Sequence, residues 1–343
     1  RRHPTPPEPL MTPIRAESDA LTGMGTQRSL PLTAYRAAVA LDAPFLPTAA
    51  PAAADRRDAP LRSALRLLST DPVVSRLGLR SDSLRNLAER ATETESDAAA
   101  ARDVLRALLT VRDPGPLPEE TERELDALLG AESGLRPRFS PRELPTIEDE
   151  FPDSAFRAAA ATTLWRGDLT TLAADAVVNA ANSRLLGCFR PRHPCIDNAL
   201  HNAAGPRLRD DCHTIVTAQG TQEPTGTAKI TRGYHLPARY VLHTVGPIVQ
   251  GRPHTDDAQA LASSYRSCLD LAAQVESVRT LAFCAVGTGV FGYPKEEAAS
   301  VALRTVEDWI TARPDRFDRV VFTVFTADDE RAYRHALDDG TRS

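Results

Sequence analysis

Three residues with soft, metal-binding side chains lie close together in the middle of the chain. Cys188, His193 and Cys195 form a C-x4-H-x-C pattern that spans eight residues. Thiolate sulfur and imidazole nitrogen are common ligands of zinc, and a structural zinc site is normally closed by four protein ligands. A catalytic site keeps one position for water or substrate. The cluster offers three ligands and no obvious fourth, which indicates a metal that takes part in chemistry.

Other interpretations of this cluster stay open. Cysteine is often a small buried apolar residue, and the spacing is less specific than a repeated C-x2-C pair. Three further cysteines are scattered in apolar or helical segments, namely Cys212, Cys268 and Cys284. One of them could supply a fourth ligand and close the site, which would make the metal structural.

A glycine-rich segment, Gly287–Gly292, lies between an apolar run of strand length at 280–286 and a helix that starts near Pro294. In such a strand–loop–helix context backbone N–H groups can surround a phosphate, and glycine lets the backbone approach the anion closely. The same glycines would also suit a tight turn with positive φ. The segment fits neither the dinucleotide fingerprint nor the Walker loop, so its spacing leaves both interpretations open.

Polar side chains follow two of the predicted strands. Asp168 comes after the first strand, where its carboxylate could accept from a base amine or cap the next helix. Asn179 and Asn182 come at the end of the second, where they could hold a turn or bind sugar hydroxyls, because buried amides are costly unless they are paired. Asp197 and His201 follow the cysteine cluster and could be a helix-start acid and a core histidine.

The elements that must position these residues alternate between strand and helix after about residue 162. The predicted strands are 162–166, 176–179, 228–230, 240–245, 280–286 and 320–325, and the predicted helices are 196–204, 206–217, 256–274, 294–311 and 328–337. Several strands are apolar on both faces, which predicts a mixed sheet with helices on both sides. The polar and glycine-rich segments fall near carboxyl ends of strands, where open α/β sheets bind ligands.

The first part of the chain has a different composition. Ten of the 27 prolines lie in the first 60 residues. They predict a mostly flexible segment at residues 1–55, with a short helix at Leu32–Leu41. Leucine spacing then predicts helices between Leu61 and Glu132. We therefore expect a small helical extension at residues 56–150 that packs on an α/β domain at residues 151–343.

Composition and charge exclude several classes of protein. The 343 residues are 42% hydrophobic and 25% charged, which is typical of a globular protein. A net charge of −5 gives no strong positive field that would attract nucleic acid. The sequence contains no apolar run of about 18 residues, the length that a membrane-spanning helix needs. The odd number of cysteines favours a reducing compartment. We expect a cytoplasmic monomer, although a chain that begins with Arg1 leaves organelle targeting open.

Together these segments resemble a known family. The residues that carry the resemblance are Gly167-Asp-Leu-Thr170, Asp175-Ala-Val-Val-Asn-Ala-Ala-Asn182, Asp197-Asn-Ala-Leu-His-Asn-Ala-Ala-Gly205 and Gly287-Thr-Gly-Val-Phe-Gly-Tyr-Pro294. They are similar to those of macrodomains, which are α/β/α modules that bind ADP-ribose. The insertion with the cysteine cluster resembles zinc-dependent macrodomains, the protein-ADP-ribose hydrolases of bacteria and fungi. The resemblance covers about residues 160–340 and extends more weakly to the helical stretch around Leu105.

The resemblance implies a three-layer α/β/α fold with a mixed sheet, and it implies binding roles for the matching residues. Asp168 would accept from the adenine amine with Leu169 beside it, and Phe325 would line the adenine pocket. Asn182 would face the distal ribose. The loop around the pyrophosphate would consist of Gly287, Thr288, Gly289, Val290, Phe291 and Gly292.

The resemblance also implies one Zn2+ per chain, held by Cys188, His193 and Cys195 beside the distal ribose. Asp197 matches an acid that many hydrolytic macrodomains use near this sugar, either in catalysis or as a support for the site. The chain departs from the family at Gly287, where serine is common. The loss of that hydroxyl would alter one phosphate contact, and the backbone of the loop would keep the others.

Three functions follow as hypotheses. In the first, the protein hydrolyses mono-ADP-ribose from acid-linked Asp or Glu side chains, with zinc that engages the sugar or activates water, and with Asn182 and Asp197 as catalytic residues. In the second, it is a module that binds ADP-ribose or its O-acetyl ester, and zinc only shapes the loop. In the third, Cys188 and Cys195 act as a redox dithiol. The expected partners are ADP-ribose and a modified protein, without nucleic acid or membrane.

Overall fold

The computed structural model describes residues 29–71, 91 and 97–339. Six strands in this part of the chain form one sheet. They are β1 (Thr162–Arg166), β2 (Ala176–Ala180), β3 (Ala228–Arg232), β4 (Tyr240–Thr244), β5 (Thr280–Phe283) and β6 (Arg319–Val324). Their order across the sheet is β1-β6-β5-β2-β4-β3. Only the β3–β4 pair within it is antiparallel, which confirms the predicted mixed sheet.

The helices of the described residues are α1 (Leu32–Tyr35), α2 (Asp58–Ser69), α3 (Ala98–Val111), α4 (Glu119–Leu135), α5 (Ile147–Glu150), α6 (Ile196–Ala204), α7 (Arg207–Gln219), α8 (Thr255–Ala273), α9 (Lys295–Ala312) and α10 (Ala327–Asp339). Short 3-10 turns lie at Ala54–Arg56, Ala159–Ala161 and Leu169–Thr171. The predicted succession of strands and helices after residue 162 is confirmed. None of these helices is long and apolar enough to span a bilayer.

Helices cover both faces of the sheet. His243 and Thr244 are consecutive in β4, so their side chains point to opposite faces. The His243 ring contacts Cys212 of α7, whereas the Thr244 side chain bonds the Cys268 thiol of α8. Helices α6 and α7 therefore lie on one face, and α8, packed beside α9, lies on the other. This is the predicted three-layer α/β/α arrangement.

The helical extension has an apolar core of its own. Leu61, Leu65 and Leu68 of α2 pack with Leu105 and Leu108 of α3, and each of these side chains is at most 4% exposed. The spacing of three to four residues places them on one side of each helix, as predicted. Asp97 caps the start of α3 by accepting from the Ala99 N–H at 3.1 Å. Residues 72–90 and 92–96, also predicted to be helical, lie outside the described part.

Residues 29–41 pack against the sheet, and we refer to them as the N-terminal strap. Leu32, Tyr35, Val39 and Leu41 of the strap are at most 3% exposed. The Tyr35 hydroxyl accepts from the Ile230 N–H at 3.0 Å, on the outermost strand β3. The strap thus covers a strand edge that would otherwise present unpaired backbone groups. The sequence predicts a mostly flexible segment at residues 1–55 with a short helix at Leu32–Leu41, and α1 at Leu32–Tyr35 lies within that range. Residues 1–28 of the segment lie outside the described residues.

A buried carboxylate joins the extension to the α/β domain. Asp126 of α4 is 2% exposed and accepts from Arg207 of α7 at 2.6 Å, from His235 at 2.9 Å and from the Thr48 backbone at 2.6 Å. Burial alone would raise the pKa of Asp126. The bonds from His235, Arg207 and Thr48 outweigh burial and hold the pKa of Asp126 well below its usual value.

We predict that Asp126→Asn lowers the free energy of unfolding at pH 7 by about 3 kcal/mol, because a neutral amide cannot replace the buried carboxylate that accepts from Arg207, His235 and Thr48. Since the folded pKa of Asp126 lies below the unfolded value of about 3.9, its contribution is complete above that pH and declines as the pH falls towards the folded pKa. The difference between wild type and variant should therefore shrink between pH 5 and pH 2.5, measured by urea unfolding. A difference that stays constant over this range would contradict the assignment.

The control is Asp42→Asn, since the ion pair of Asp42 with Arg36 lies at the surface, where the Asp42 side chain is 64% exposed. It should change stability much less at every pH.

Candidate active site and metal centre

The segments predicted to bind a ligand follow four neighbouring strands at one edge of the sheet. Strands β1, β6, β5 and β2 are adjacent and parallel, so their carboxyl ends face the same way. Asp168 follows β1, Phe325 follows β6, Gly287–Gly292 follows β5 and Asn182 follows β2. With strands about 4.8 Å apart, the row spans roughly 14 Å. The structure thus brings the predicted residues together along one edge.

Asp168 caps a 3-10 turn at the first end of this row. Its Oδ1 accepts from the Thr170 N–H at 2.9 Å and from the Thr170 hydroxyl at 2.8 Å, yet the residue is exposed. Leu169, also predicted to bind the ligand, is buried in the core. The ring of Phe139, 41% exposed, lies 5.3 Å from that of Trp165 and adds an apolar surface nearby that sequence reasoning missed.

The glycine-rich loop has a shape that two of its glycines make possible. Gly287 and Gly292 have φ values of +81° and +71°. A Cβ atom on Gly292 would lie 2.8 Å from the Val249 carbonyl oxygen. The loop is closed by the Val249 N–H, which donates to the Phe291 carbonyl at 2.7 Å. Strand β5 ends at Phe283 rather than at Val286 as predicted, because Cys284–Val286 already turns into this loop.

Exposed side chains surround the loop on its open side. Val290 is 68% exposed, and Phe325 at the end of the neighbouring strand is 76% exposed. A Cβ on Gly289 would meet no atom within 4 Å. Thr288 is half-buried, and its hydroxyl donates to the Ala285 carbonyl at 3.0 Å. The loop can therefore present its backbone to a ligand at residues 288–291.

Asn182 holds the start of residues 185–195, which contain the three predicted zinc ligands and which we call the metal-binding loop after that prediction. Its Nδ2 donates to the Gly187 carbonyl at 2.9 Å, and its Oδ1 accepts from the Arg184 N–H at 3.0 Å. Asn182 is half-buried. Of the two roles that the sequence left open, a turn or a sugar contact, these bonds fit the first. Its contact with a sugar remains a prediction.

The metal-binding loop has an unusual backbone. Leu185, Gly187, Phe189 and Arg192 all have positive φ, at 58°, 88°, 52° and 62°. For residues other than glycine this conformation costs roughly 1–2 kcal/mol each. Such a loop persists only where the surrounding structure over-determines it.

Donor atoms of Cys188, His193 and Cys195 lie within 4.8 Å of one another. The Cys188 Sγ and the His193 Nδ1 are 3.3 Å apart. Zinc bonds of about 2.3 Å to sulfur and 2.1 Å to nitrogen place neighbouring tetrahedral donors roughly 3.5 Å apart, so the donor set and the spacing both fit this ion. Burial raises the pKa of the Cys195 thiol to about 12, and the neighbouring Cys188 acts in the same direction. A bound cation would favour the thiolates.

The other cysteines lie away from this group. Cys212, Cys268 and Cys284 are buried. Cys212 belongs to a second group of close donor atoms, with His201 and His243. In the described part of the chain, the donor group of the loop consists of Cys188, His193 and Cys195.

Arg209 connects the metal-binding loop to the helical extension. The residue is 5% exposed. Its Nε donates to the Leu186 carbonyl at 2.8 Å, and its Nη1 donates to the Leu109 carbonyl at 2.8 Å, in the last turn of α3. The guanidinium carbon also lies 4.6 Å from the centre of the Phe189 ring. Burial lowers the pKa of Arg209 to about 10, which still leaves the group charged at neutral pH.

Asp197 lies at the start of α6, beside the metal-binding loop, and is 4% exposed. Its Oδ1 accepts from the Asn179 Nδ2 at 2.8 Å. Burial raises the pKa of Asp197 to about 6, whereas the bond from Asn179 acts in the opposite direction. A carboxyl group with such a pKa is suited to exchange or accept a proton near neutral pH. His201 is buried next to it, and burial lowers the pKa of His201.

Comparison with known proteins gives concordant matches. A family model described as Macro domain matches residues 178–302. The chain is 43% identical to a protein-ADP-ribose hydrolase of Treponema medium, over 64% of this chain and 89% of that one. It is also 43% identical to a protein-ADP-ribose hydrolase of Staphylococcus aureus strain MRSA252, over 68% and 84%. The structure of a Trypanosoma brucei macrodomain in complex with ADP-ribose is similar at a TM-score of 0.50, with 34% identity over 59% of this chain and 78% of that one.

We predict that Gly292→Ala lowers the free energy of unfolding by about 1–2 kcal/mol or more, because an L residue is strained at this φ and its Cβ would press on the Val249 carbonyl. Gly289→Ala is the matched control in the same loop, and its Cβ meets open space, so stability should change by less than about 0.5 kcal/mol. Urea unfolding of both variants measures the difference. Equal losses would mean that backbone shape does not limit residue 292.

Proposed function

The chain belongs to the macrodomain family, and on that premise we propose that it is a zinc-dependent hydrolase that removes mono-ADP-ribose from acidic side chains of modified proteins. The observation that carries the proposal is the position of the cysteine and histidine group. It lies between Asn182 and Asp197 in the chain and follows β2, at the edge where the glycine-rich loop also lies. The names of the two bacterial relatives support the hydrolytic activity.

ADP-ribose would lie along the row of strand ends. Asp168 would accept from the adenine amine, with Phe325 against the base. Residues 287–292 would surround the pyrophosphate with backbone N–H groups, and the distal ribose would reach the end of β2. The order of β1, β6, β5 and β2 across the sheet supports this arrangement. Adenine would lie at the ends of β1 and β6, the phosphates at the end of β5 and the distal ribose at the end of β2.

The substrate bond is an ester between the C1″ atom of the distal ribose and a carboxyl group of the modified protein. Hydrolysis breaks this bond: the hydroxyl group of water forms the new bond to one fragment and its remaining proton goes to the other, so the products are ADP-ribose and the free carboxylic acid. A carboxylate is a weak base and leaves readily, whereas an arginine guanidine does not, so acid-linked substrates suit the site best. Zinc held by Cys188, His193 and Cys195 would stabilise negative charge on an oxygen or lower the pKa of a bound water from 15.7 to about 7.

The residues of the chain would orient the reactants. Because the pKa of Asp197 is about 6, it is mostly ionised at neutral pH and can accept a proton from the attacking water. Asn182 holds the metal-binding loop in register with the end of β2, and through it the donor atoms. Burial of Asp197 shields its carboxylate from bulk water.

A module that only binds ADP-ribose is the second candidate. The observation that favours it is that both polar atoms of the Asn182 side chain bond backbone groups of the turn. Asn182 would then stabilise the loop rather than contact the sugar, and a metal in that loop could have a structural role alone. Turnover distinguishes the two candidates, since both would bind free ADP-ribose.

We predict that Cys188→Ser and His193→Ala each lose the bound zinc and lower the release of ADP-ribose from a glutamate-linked protein by at least about 100-fold. Metal analysis by plasma emission and a release assay give the two readouts. Calorimetry with free ADP-ribose is the control and should show a change in Kd of less than about fivefold, because most contacts lie along the row of strands. Variants that bind no zinc but turn over at the wild-type rate would refute the zinc mechanism. Wild type that binds ADP-ribose without turnover would favour the binding module.

We also predict that Arg209→Lys weakens zinc binding by about tenfold or more, because lysine cannot bond both the Leu186 carbonyl and the end of α3. Arg207→Lys is the matched control. Arg207 lies on the same helix and also bonds the extension, through Asp126. It should lower stability and leave zinc affinity within about threefold. Competition with a chromogenic chelator measures the affinities, and equal losses in both variants would contradict a specific role for Arg209.

A further inference from the structure

A chain of buried polar side chains runs across three strands to Asp197. His243 of β4 lies between Thr231 of β3 and Asn179 of β2. Its Nε2 is 3.0 Å from the Thr231 hydroxyl, and its Nδ1 is 3.2 Å from the Asn179 Nδ2. The same Nδ2 donates to the Asp197 Oδ1 at 2.8 Å. Thr231, Asn179 and His243 are each 0% exposed, so no water competes with these bonds.

The chemistry of each group determines the direction of every bond. An amide NH2 can only donate, so the His243 Nδ1 beside it must accept. The proton of the neutral ring is then on Nε2, which donates to the Thr231 hydroxyl. Burial lowers the pKa of His243 to about 3, which agrees with a neutral ring. With Nδ1 as an acceptor, the Asn179 NH2 group is held towards both His243 and Asp197.

The other polar atom of Asn179 makes this arrangement costly. The Asn179 Oδ1 is buried without a hydrogen-bond partner among the described residues. Such an atom costs about 1–3 kcal/mol. An apolar residue would pack at this position without that cost, so stability alone does not explain why an asparagine is present. The bond from its NH2 group to Asp197 gives a reason for it.

A second metal site is the competing interpretation, since donor atoms of His201, Cys212 and His243 lie within 4.8 Å of one another. Both ring nitrogens of His243 already have partners, so a metal would have to displace Asn179 or Thr231. The charged Arg209 is also close enough to lower the pKa of His201. A second cation is disfavoured in that field.

We propose that His243 is a positioning residue that acts through Asn179 to hold the Asp197 carboxylate in its reactive orientation. This inference rests on the proposed function, because it takes Asp197 to act in the hydrolysis. His243 itself touches no substrate. Its effect is to fix which end of the Asn179 amide faces Asp197, since a reversed amide would turn an oxygen towards the carboxylate.

Two substitutions at residue 243 separate its two nitrogens. The side-chain oxygen of His243→Asn lies near the former Nδ1 and can still accept from Asn179. The amide of His243→Gln reaches the former Nε2 and keeps a partner for Thr231, but it leaves no acceptor for Asn179. We expect kcat to fall about 10- to 100-fold in His243→Gln with KM within about threefold, and His243→Asn to restore most of kcat. A purely structural role would lower both variants according to their stability, which urea unfolding measures.

A milder pair guards against a variant that fails to fold. Thr231→Val removes the acceptor for the Nε2 proton together with the 3.3 Å bond from the hydroxyl to the Arg232 carbonyl, and Thr231→Ser keeps both. We expect kcat to fall several-fold in Thr231→Val and to stay close to wild type in Thr231→Ser. Equal kcat in Thr231→Val and Thr231→Ser would overturn the proposal. Equal loss of kcat in folded His243→Asn and His243→Gln would also overturn it. So would a second equivalent of bound metal in wild type that is absent from both His243 variants.

A spectroscopic measurement keeps this inference apart from the proposed function. Long-range 15N–1H correlation spectra of wild-type protein report which ring nitrogen of His243 carries the proton. The proposal requires the proton on Nε2, and a proton on Nδ1 would overturn it whether or not the protein hydrolyses anything. If the proton is on Nε2 but the protein shows no turnover, the hydrolase function is refuted. The orientation of Asn179 would then still hold, and only the catalytic role of His243 would be lost.

Discussion

The buried charge of Arg209 is the interaction on which the site depends. A guanidinium removed from water must have its N–H groups satisfied, and here the acceptors come from two separate regions, the last turn of α3 and the start of the metal-binding loop. The end of a helix is a favourable place for such a charge, because its carbonyl groups lack partners within the helix. The ring of Phe189 covers one face of the same group. The extension is therefore structurally part of the site.

The sheet and the loops contribute differently to the site. Parallel strands place Asp168, the glycine-rich loop and Asn182 in a row without any of these residues having to contact another. The metal-binding loop, in contrast, has no regular hydrogen-bond ladder and contains residues such as Leu185 and Phe189 in left-handed conformations. Its shape comes from outside, through Asn182 on one side and Arg209 on the other. The geometry of the candidate metal donors thus depends on packing rather than on local propensity.

Most strands and the candidate metal ligands could be predicted from the sequence. The features that could not be predicted share one cause, which is contact between residues far apart in the chain. Apolar runs and glycine positions locate the strands, and the spacing of Cys188, His193 and Cys195 locates the donor group, because these signals are local. Arg209 and His243 give no local signal, since their partners lie 100 and 64 residues away along the chain. The sequence predicts a short helix within the strap but not its packing on β3, for a related reason. Its proline-rich surroundings indicate weak local structure, whereas its order comes from the surface of β3.

The strand order has a consequence for the synthesis of the protein. Strand β6 is the last to leave the ribosome, yet it lies between β1 and β5 inside the sheet. Until residue 324 has emerged, β1 lacks its sheet neighbour, and the strap waits for a strand 195 residues further along the chain. Contacts of such long range make folding slow and expose apolar surface in the nascent chain. The α/β domain is therefore expected to assemble late and cooperatively, whereas the described apolar core of the extension is complete once residue 128 has emerged.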